Sequence, residues 1–278
     1  MDTYLEKYHI PAVDYSEGVK TAYPQGVQAK EFILPKELLE QDCVLSLSKM
    51  KTHALERITG AVKNSYGFVY GFHKAKGHTQ YPSADSFARM LIDLNKCVAP
   101  KLYVMDGIVA MEGNGPGSGD PVQMNVMLMS TDPVALDSVF SRLVYLKPEM
   151  VPTNYHGEKM GLGTWKEEEI TLLTPDGEIS MSEAVKRYGN PQFNVDRTEV
   201  RKNIWTRMAG ALNIFQKKPY IEADKCVRCG ICVQSCPVPG KAVDFRKGKG
   251  KPPVYDYRKC IRCFCCQEMC PKKAIKVK

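Results

Sequence analysis

The chain has 278 residues, of which 44% are hydrophobic and 25% charged, which is typical of a globular protein and excludes a disordered chain. No run approaches the roughly 18 apolar residues of a membrane helix, and residues 1–12 lack the apolar core of a signal peptide. Lys and Arg outnumber Asp and Glu by 39 to 31. The sequence therefore predicts a cytoplasmic protein without membrane contact, long enough for two domains.

Two strands and a helix are predicted in the first quarter of the chain. The apolar residues 31–34 predict a strand, and residues 43–48 predict a second, buried strand. This second strand ends in the basic segment Lys49-Met50-Lys51-Thr52-His53. Residues 54–63 carry apolar side chains at helical spacing and therefore predict a helix with one buried face.

A polar and aromatic stretch, residues 70–82, predicts a loop that carries His73 and His78 at the surface. The apolar residues that follow repeat at helical spacing over residues 83–98, with Ser83 as the helix cap and a proline after the end. This segment is therefore predicted to be a long amphipathic helix.

The middle of the chain alternates strands and helices. Residues 102–105 predict a strand, a Gly-rich loop follows at residues 113–119, and residues 122–129 predict another strand. Asp132 caps the next predicted helix, on which Asp137 is expected to face outward. The alternation predicts an α/β fold with a mainly parallel sheet and flanking helices.

Short elements and a linker complete the first part of the chain. Residues 153–160 predict a helix, residues 170–173 a strand, and residues 197–215 a linker-like helix. The predicted domain boundary follows this linker. Residues 1–218 are then expected to form the α/β domain, and residues 219–278 a small α+β domain.

Nine of the eleven cysteines lie after residue 219, in two runs with the same spacing. Each run is Cys-x2-Cys-x2-Cys-x3-Cys-Pro, in which the first three thiolates surround one 4Fe-4S cluster and the fourth ligates the other. The spacing therefore predicts two 4Fe-4S clusters. Cluster one is assigned to Cys226, Cys229, Cys232 and Cys270, and cluster two to Cys260, Cys263, Cys266 and Cys236.

Two other interpretations of these cysteines are weaker. Structural zinc sites favour paired ligands and not triple runs closed by Cys-Pro. Cys265 breaks the spacing, so we expect a packed thiol near cluster two and not a ninth ligand. The runs resemble a bacterial-type two-cluster ferredoxin, and the matching segments 241–245 and 273–277 predict a duplicated loop-helix-strand unit. Such clusters require a reducing compartment and suggest an anaerobic organism.

The positive charge is concentrated in the C-terminal residues. Residues 219–278 contain 14 Lys and Arg against 5 Asp and Glu, or +9, and the rest of the chain 25 against 26, or −1. A basic patch at residues 246–251 lies between the cysteine runs. We interpret it as a surface for an acidic redox partner, or as compensation for the negative clusters, in preference to a nucleic-acid site.

Residues suited to ligand chemistry follow the predicted strands, where loops gather in an open α/β sheet. Lysines there indicate a small anionic ligand, and His53 is the best proton donor among them. Taken singly, Lys49 and Lys51 are better explained as solvated residues than as ligand clamps, and Asp132 is sufficiently explained as a helix cap. The Gly-rich loop lacks the spacing of a dinucleotide or P-loop motif. The candidates are Lys49, Lys51, His53, Lys63, Asn64, Glu112 and Asp132.

Four segments of the α/β domain resemble the domain-of-unknown-function 362 family, whose members often carry a two-cluster tail. The segments are residues 48–53, 61–67, 106–116 and 130–137. The family usually has a further N-terminal portion with a strand ending in Lys-Pro-Asn, and no such segment precedes Glu31. We therefore expect an exposed sheet edge that a partner subunit or a second copy of the chain covers. The resemblance implies an architecture more than a reaction.

The sequence thus predicts an iron-sulfur protein that relays single electrons through two 4Fe-4S clusters, to or from an anion-binding redox site in the α/β domain. Whether that domain is enzymatic stays open, with an iron-sulfur oxidoreductase as the hypothesis. The alternative is a non-catalytic electron carrier or assembly factor whose α/β domain docks a partner complex. Redox-sensitive nucleic-acid binding through residues 246–251 is a third, weaker hypothesis.

Overall fold

A computed structural model of the chain describes residues 2–71, 73–199 and 217–278. We call the residues before 200 the α/β part and residues 217–278 the C-terminal part. In chain order the strands are β1 (Gly18–Ala22), β2 (Glu31–Pro35), β3 (Leu45–His53), β4 (Arg57–Thr59), β5 (Leu102–Glu112), β6 (Asp120–Ser130), β7 (Leu172–Thr174), β8 (Gly177–Ile179), β9 (Pro219–Ile221), β10 (Val243–Asp244), β11 (Val254–Tyr255) and β12 (Ile275–Val277).

The α-helices are α1 (Asp2–Lys7), α2 (Lys36–Leu39), α3 (Ala61–Asn64), α4 (His73–Gln80), α5 (Ala84–Val98), α6 (Pro133–Leu143), α7 (Pro152–Lys159), α8 (Met181–Tyr188), α9 (Ile231–Gln234) and α10 (Cys265–Glu268). In the described ranges of the chain, none of the helices combines the length and the apolarity that crossing a bilayer requires. The linker-like helix predicted at residues 197–215 falls largely on residues 200–216, outside the described residues.

The centre of the α/β part is a four-stranded sheet in the order β4-β3-β5-β6. Strands β3 and β5 are parallel, with Leu45 beside Leu102, whereas β4 and β6 run antiparallel to their neighbours. The sheet is therefore mixed, and the prediction of a mainly parallel sheet is not confirmed. The reason lies in the short connections at residues 54–56 and 113–119, because a parallel crossover needs about a dozen residues or more.

Helices cover one face of this sheet. Met50 of β3 and Met105 of β5 are fully buried and share a core with Phe140 of α6. On the opposite face the described residues leave large apolar side chains exposed, among them Leu47 at 71% and Met129 at 67% exposure. We call this surface, which also includes Leu45 and Met127, the open face. Exposed apolar patches of this kind mark interaction surfaces in many proteins.

The two longest helices of the described residues form as the sequence predicts. Ser83 caps α5, since its side chain accepts a hydrogen bond from the backbone of Ser86 while the Ser86 side chain returns one to the cap. Asp132 caps α6 in the same manner, with proline at the first helical position. The predicted helices at residues 83–98 and from Asp132 onward are thereby confirmed.

Asp137 does not face outward, and that prediction is wrong. Its side chain is fully buried, and its two oxygens accept hydrogen bonds from the backbone N–H groups of Ala61 at 2.6 Å and Val62 at 3.1 Å. Burial raises the pKa of Asp137 to about 7, against the effect of these bonds. The N–H groups in the first turn of α3 have no partner within that helix, and Asp137 supplies their acceptors. The apolar spacing within α6 carries no information about this contact.

Two further local predictions are wrong. Residues 54–63 form a turn, β4 and the short α3 in place of one helix, because the chain pairs back on β3 before Gly60. The predicted loop at residues 70–82 contains α4, and His78 is buried rather than exposed. Its ring stacks on Phe87 with the centroids 4.5 Å apart. This contact with α5 buries one side of an otherwise polar helix.

The C-terminal part consists of two matching halves. Each half runs through a strand, a cysteine run, a short helix and a second strand, first from β9 to β10 and then from β11 to β12. The strands pair across the halves, β9 with β12 and β10 with β11. Backbone hydrogen bonds between Lys218 and Lys278 extend the first pair. The duplicated unit predicted from the sequence is confirmed.

Candidate functional site

Eight cysteines of the C-terminal part line two cavities, which we call the first and second thiol cavities. Each cavity brings together three cysteines of one run and the last cysteine of the other, as the spacing predicts. The first thiol cavity is lined by Cys226, Cys229, Cys232 and Cys270, and the second by Cys236, Cys260, Cys263 and Cys266.

The surroundings of these thiols suit 4Fe-4S ligation. The backbone N–H groups of Ala242 and Ala274 donate to the sulfur atoms of Cys236 and Cys270, each at 3.3 Å, at equivalent positions in the two halves. Hydrogen bonds to sulfur are one means by which proteins tune such clusters. Burial, followed by the neighbouring cysteines, raises the pKa of Cys232 to about 11. Cys232 therefore needs a bound cation such as iron to become a thiolate at neutral pH.

Cys265 is buried but lines neither cavity. Its thiol is hydrogen-bonded to that of Cys263, and this bond together with burial raises the pKa of Cys265 far above its ordinary value. Cys265 is thus a neutral thiol packed behind the second thiol cavity. This position agrees with the packed role expected from the sequence, and the ligand sets themselves stay predictions.

Helix α10 docks on the Gly-rich loop between β5 and β6. The side-chain amide of Gln267 donates to the carbonyl oxygens of Asn114 and Gly115, at 2.7 and 3.0 Å. Close by, Lys273 donates to the carbonyl oxygen of Gly119 at 3.1 Å. The loop therefore holds the second thiol cavity against the end of the central sheet.

Glycines in the loop permit this close approach. A Cβ atom on Gly117 would lie 2.8 Å from the carbonyl oxygen of Glu268, and one on Gly115 would lie 2.3 Å from that of Thr52. The Thr52 hydroxyl also donates to the carbonyl oxygen of Gly113 at 3.0 Å. The Gly-rich loop matches no phosphate-binding motif, and its observed ligand is a helix of the same chain.

Gly117→Ala is expected to weaken the docking of α10, because the added methyl group meets a backbone carbonyl that cannot turn away. Overpacking of this kind costs about 1–3 kcal/mol. The visible absorbance of the anaerobic protein should therefore fade faster in guanidinium. Gly67→Ala is the control, since an added Cβ there meets nothing within 4 Å. Equal fading in both variants would contradict this account.

Three predicted site residues, Lys51, His53 and Lys63, come together at this interface, and we call them the basic group. They lie around Glu268, the last residue of α10, whose side chain is only 23% exposed. A hydrogen bond of 3.0 Å joins Nε2 of His53 to Oε1 of Glu268. The charges of Lys51 and Lys63 act on the same carboxylate. The anion that the basic group meets is thus a side chain of the C-terminal part.

His53 is held in one neutral tautomer. Its Nδ1 accepts hydrogen bonds from the backbone N–H groups of Leu55 and Glu56, both at 3.1 Å, so the ring proton lies on Nε2 and is donated to Glu268. Burial, and next the charge of Lys63, lowers the pKa of His53 to about 4. This geometry indicates that His53 positions Glu268, and its role as a proton donor to a ligand stays a prediction.

Glu268 keeps its negative charge at the interface. Burial acts to raise its pKa, but the charge of Lys63 and the hydrogen bond from His53 outweigh burial and hold the pKa far below its ordinary value. Burial, followed by the charge of Lys63, lowers the pKa of Lys51. A carboxylate fixed among these groups ties α10 to β3 and α3, and its removal would leave buried polar groups without their partner.

The remaining predicted site residues make other contacts. Lys49 forms an ion pair of 2.5 Å with Asp106 on the open face. Asn64 donates from its side chain to the carbonyl oxygen of Leu47 at 3.1 Å. Both side chains connect neighbouring segments of the sheet and its helix, and neither contacts Glu268.

Glu112 and Asp132 also hold backbone in place. Glu112 accepts a hydrogen bond from the N–H of Asn194 at 2.8 Å. Asp132 uses Oδ1 to cap α6 and Oδ2 to accept from the N–H of Thr164 at 2.9 Å. The sequence also allowed Asp132 to be a helix cap without a role in chemistry. Its backbone hydrogen bonds support this explanation, because they use both of its oxygens.

Sequence reasoning missed four residues of this interface: Tyr66, His78, Gln267 and Glu268. Burial raises the pKa of Tyr66, and the charge of Glu268 adds to the shift, so this ring lies near α10. Burial lowers the pKa of His78 to about 4. One signal was available in the sequence, since Glu268 is one of only 5 acidic residues in the basic C-terminal residues and lies between two cysteines.

Glu56 is a second buried carboxyl beside the basic group. Its side chain is fully buried, and among the described residues neither of its oxygens has a hydrogen-bond partner. Burial raises the pKa of Glu56 well above 4.5, although the charge of Lys63 opposes the shift. The folded protein therefore keeps Glu56 protonated at pH values at which the unfolded chain ionises it.

Glu56→Gln is expected to remove a loss of stability that the wild-type protein shows as pH rises. Because the folded state holds the proton more tightly, the contribution of Glu56 is fully present below about pH 4.5 and is lost as pH rises toward the folded pKa. Melting temperatures of the two anaerobic proteins should agree near pH 4.5 and diverge by pH 8, with the variant higher. A constant difference across this range would exclude the titration of Glu56 as the cause.

Comparison with known proteins identifies the α/β part. The family described as "Domain of unknown function (DUF362)" matches residues 1–142, about half of the chain. The chain belongs to the DUF362 family. The resemblance seen in four short segments of the sequence is thereby confirmed.

A curated relative supports this DUF362 assignment. "Thylakoid-associated protein sll1697" of Synechocystis sp. (strain ATCC 27184 / PCC 6803 / Kazusa) is 41% identical over 130 residues. The aligned region is 46% of this chain and 40% of the relative, so this DUF362 chain matches less than half of that protein. No solved structure matches the chain.

The C-terminal part of this DUF362 protein matches a second family, described as "4Fe-4S dicluster domain", over residues 218–271. Its ferredoxin-type cysteine runs and the thiols around each cavity agree with that match. The chain therefore carries an iron-sulfur, metal-binding domain, and the zinc interpretation of the cysteines loses its support.

Proposed function

We propose that this DUF362 protein relays single electrons through two 4Fe-4S clusters, between its surface and a redox site in the α/β domain of residues 1–218. Cluster one would occupy the first thiol cavity and cluster two the second, both within a domain of residues 219–278. The observation that carries the proposal is the unequal burial of the two sets. In the first set Cys229 is exposed and Cys226 half-buried, whereas Cys236, Cys263 and Cys266 of the second set are buried.

This asymmetry assigns a different task to each cluster. A cluster near the surface can exchange electrons with an external partner, whereas a cluster enclosed by protein exchanges them with its neighbours in the chain. Exposure and hydrogen bonds to sulfur also set the potential of each cluster. Electrons would thus pass between the outside and the α/β domain by way of cluster one and then cluster two. A reducing cytoplasm of an anaerobic organism suits such clusters.

The external partner would be an acidic redox protein that binds the basic patch at residues 246–251. Charge complementarity supports this choice, because these residues are exposed and four of them are Lys or Arg. Arg228, between two cysteines of the first thiol cavity, donates to the carbonyl oxygen of Gly250 at 3.2 Å. The patch therefore lies next to cluster one, where electrons would enter or leave.

Oxidation of the reduced protein by small cobalt complexes tests this arrangement. The anionic cobalt(III)–EDTA complex should react roughly tenfold faster at low than at high ionic strength, because the basic patch concentrates anions beside cluster one. The hexaamminecobalt(III) cation should show the opposite salt dependence. Stopped-flow absorbance under anaerobic conditions measures both rates.

Charge reversal supplies the matched control for this experiment. Lys247→Glu, Lys249→Glu and Lys251→Glu combined should invert the preference for the anionic oxidant. The same number of reversals in α1, α2 and α8, at Lys7, Lys36 and Lys186, gives the same net charge and should leave the preference in place. If both triple variants behave alike, the patch has no special role at cluster one.

The redox site itself is proposed to lie beside cluster two and to take a small anionic ligand, which would make the protein an iron-sulfur oxidoreductase. The cationic surroundings of Lys51 and Lys63 support an anion there, although Glu268 already meets the basic group. A reduced-minus-oxidised spectrum that shifts with one anionic metabolite supports an enzyme.

The second candidate is a carrier or assembly factor without chemistry of its own, and the open face favours it. Exposed Leu47 and Met129 offer an apolar surface to a partner complex or to a second copy of the chain. Under this alternative the protein should co-purify with a partner, or sediment as a dimer that Leu47→Glu dissociates, and no metabolite should shift its spectrum.

A further inference from the structure

A cavity of about 370 Å³ lies between β2, α4 and α5, apart from the two thiol cavities. Its size falls within the range of about 300–1,000 Å³ that is usual for small-molecule sites. The carbonyl of Ile33 in β2 accepts a hydrogen bond from the N–H of Tyr70 at 2.9 Å, so β2 and the segment that leads into α4 are joined at one side of the cavity.

The lining changes from apolar to polar between the inner end and the mouth. Buried Phe32, Tyr66, Val69 and Met90 form the inner end, and Tyr81 adds another ring to the wall. An apolar slot with aromatic walls accepts a flat ring system, because aromatic rings stack or meet edge to face.

The exposed mouth of the cavity favours an anionic group. Lys30 and His73 lie there, together with the amides of two glutamines. Glu31 is the acidic residue of the lining, and its carboxylate is paired with Lys20 at 2.8 Å. The mouth therefore presents hydrogen-bond donors and the Lys30 cation. None of the described residues that line the cavity has an unpaired carboxylate that would neutralise Lys30.

Tyr66 forms one wall of this cavity. Its hydroxyl donates to the carbonyl oxygen of Lys74 at 2.5 Å, and its ring meets those of His78 and Phe87 edge to face. These contacts fix the ring in place. Burial raises the pKa of Tyr66 and the charge of Glu268 adds to the shift, so the ring lies near α10.

We propose that this cavity binds a planar ring compound bearing one anionic group, with its ring against Tyr66 and its anionic group at Lys30. The proposal goes beyond the proposed electron relay, because neither Lys51 nor Lys63 lines this cavity. Binding alone requires no electron transfer. A probe that cannot be reduced is therefore sufficient to test it.

Naphthalene-2-sulfonate is a suitable probe, because it is planar, anionic and redox-inert, and naphthalene-2-methanol is its uncharged counterpart. Calorimetry with the oxidised, cluster-loaded protein should show one site per chain for the sulfonate. Lys30→Gln should weaken the sulfonate about fivefold and leave the alcohol unchanged. Val69→Phe should abolish binding of both by filling the inner end. Lys36→Gln, on α2 and outside the cavity lining, is the control for the charge change.

Emission of the bound naphthalene reports its distance from the clusters. It should be quenched in the wild-type protein and in Cys232→Ala, which keeps cluster two, and recover in Cys266→Ala, which loses it. Absence of saturable sulfonate binding, or binding that neither Lys30→Gln nor Val69→Phe alters, overturns the proposal. Failure of the relay would appear separately, as clusters that take up no electrons in a redox titration without probe.

Discussion

Anaerobically purified Cys266→Ala protein should contain about four iron atoms per chain, half of the roughly eight expected for two 4Fe-4S clusters. Cys266 lines the second thiol cavity, and a hydrogen bond of 3.1 Å joins its sulfur to the Tyr255 hydroxyl. Without its thiolate the second set keeps three cysteines, whereas the first set is complete. Iron and sulfide analysis measures the loss, and the electron paramagnetic resonance of the reduced protein should show one cluster signal in place of two interacting ones.

Cys265, the residue before Cys266, provides a control because its thiol is also buried. Cys265→Ala changes the same atoms one residue earlier in α10, but Cys265 lines neither thiol cavity. This variant should keep about eight iron atoms. If Cys265→Ala loses iron and Cys266→Ala does not, cluster two has a different ligand set from the one proposed.

In the Glu268→Gln variant, the C-terminal part should separate from the α/β part more readily than in a variant with a surface substitution. The change removes the anion around which the basic group is arranged and weakens the hydrogen bond from His53, at an expected cost of about 2–3 kcal/mol. If this contact breaks before the transition state of unfolding, a loss of 2 kcal/mol makes unfolding about thirtyfold faster. Stopped-flow decay of the cluster absorbance in anaerobic guanidinium measures the rate.

Two comparisons make the result specific to the interface. Glu178→Gln, on exposed β8, removes the same charge at the surface and should leave the rate unchanged. In a Lys63→Met background, Glu268→Gln should cost less, with a coupling of at least about 0.5 kcal/mol. Additive effects of the two substitutions would mean that Lys63 does not hold Glu268.

Patterns within a single element predicted much of this structure. The capped helix from Ala84 to Val98 follows from its own apolar spacing and from Ser83. The thiol sets follow from cysteine spacing, because tight turns fix where the first three sulfurs of each run lie. For the helix and for the first three thiols of each set the information is local, whereas the fourth thiol of each set comes from the other run.

Predictions that depended on distant residues were weaker. Asp137 is buried because the start of α3 needs its oxygens, and His78 because it meets Phe87. The basic group was predicted to hold a small anion, and the acidic side chain beside it comes from Glu268, 215 residues after His53. Charge complementarity predicts that lysines will find an anion, but it does not say which part of the chain supplies it.

The docking of α10 on the Gly-rich loop has a consequence for biogenesis. Gln267, which binds Asn114 and Gly115, follows Cys266 directly in α10, and Cys263 and Cys266 are both buried. Cys229 of the first set is exposed, whereas Cys260, the most accessible thiol of the second set, is half-buried. We therefore expect an iron donor to load the second set more slowly than the first once the two parts of the chain have docked.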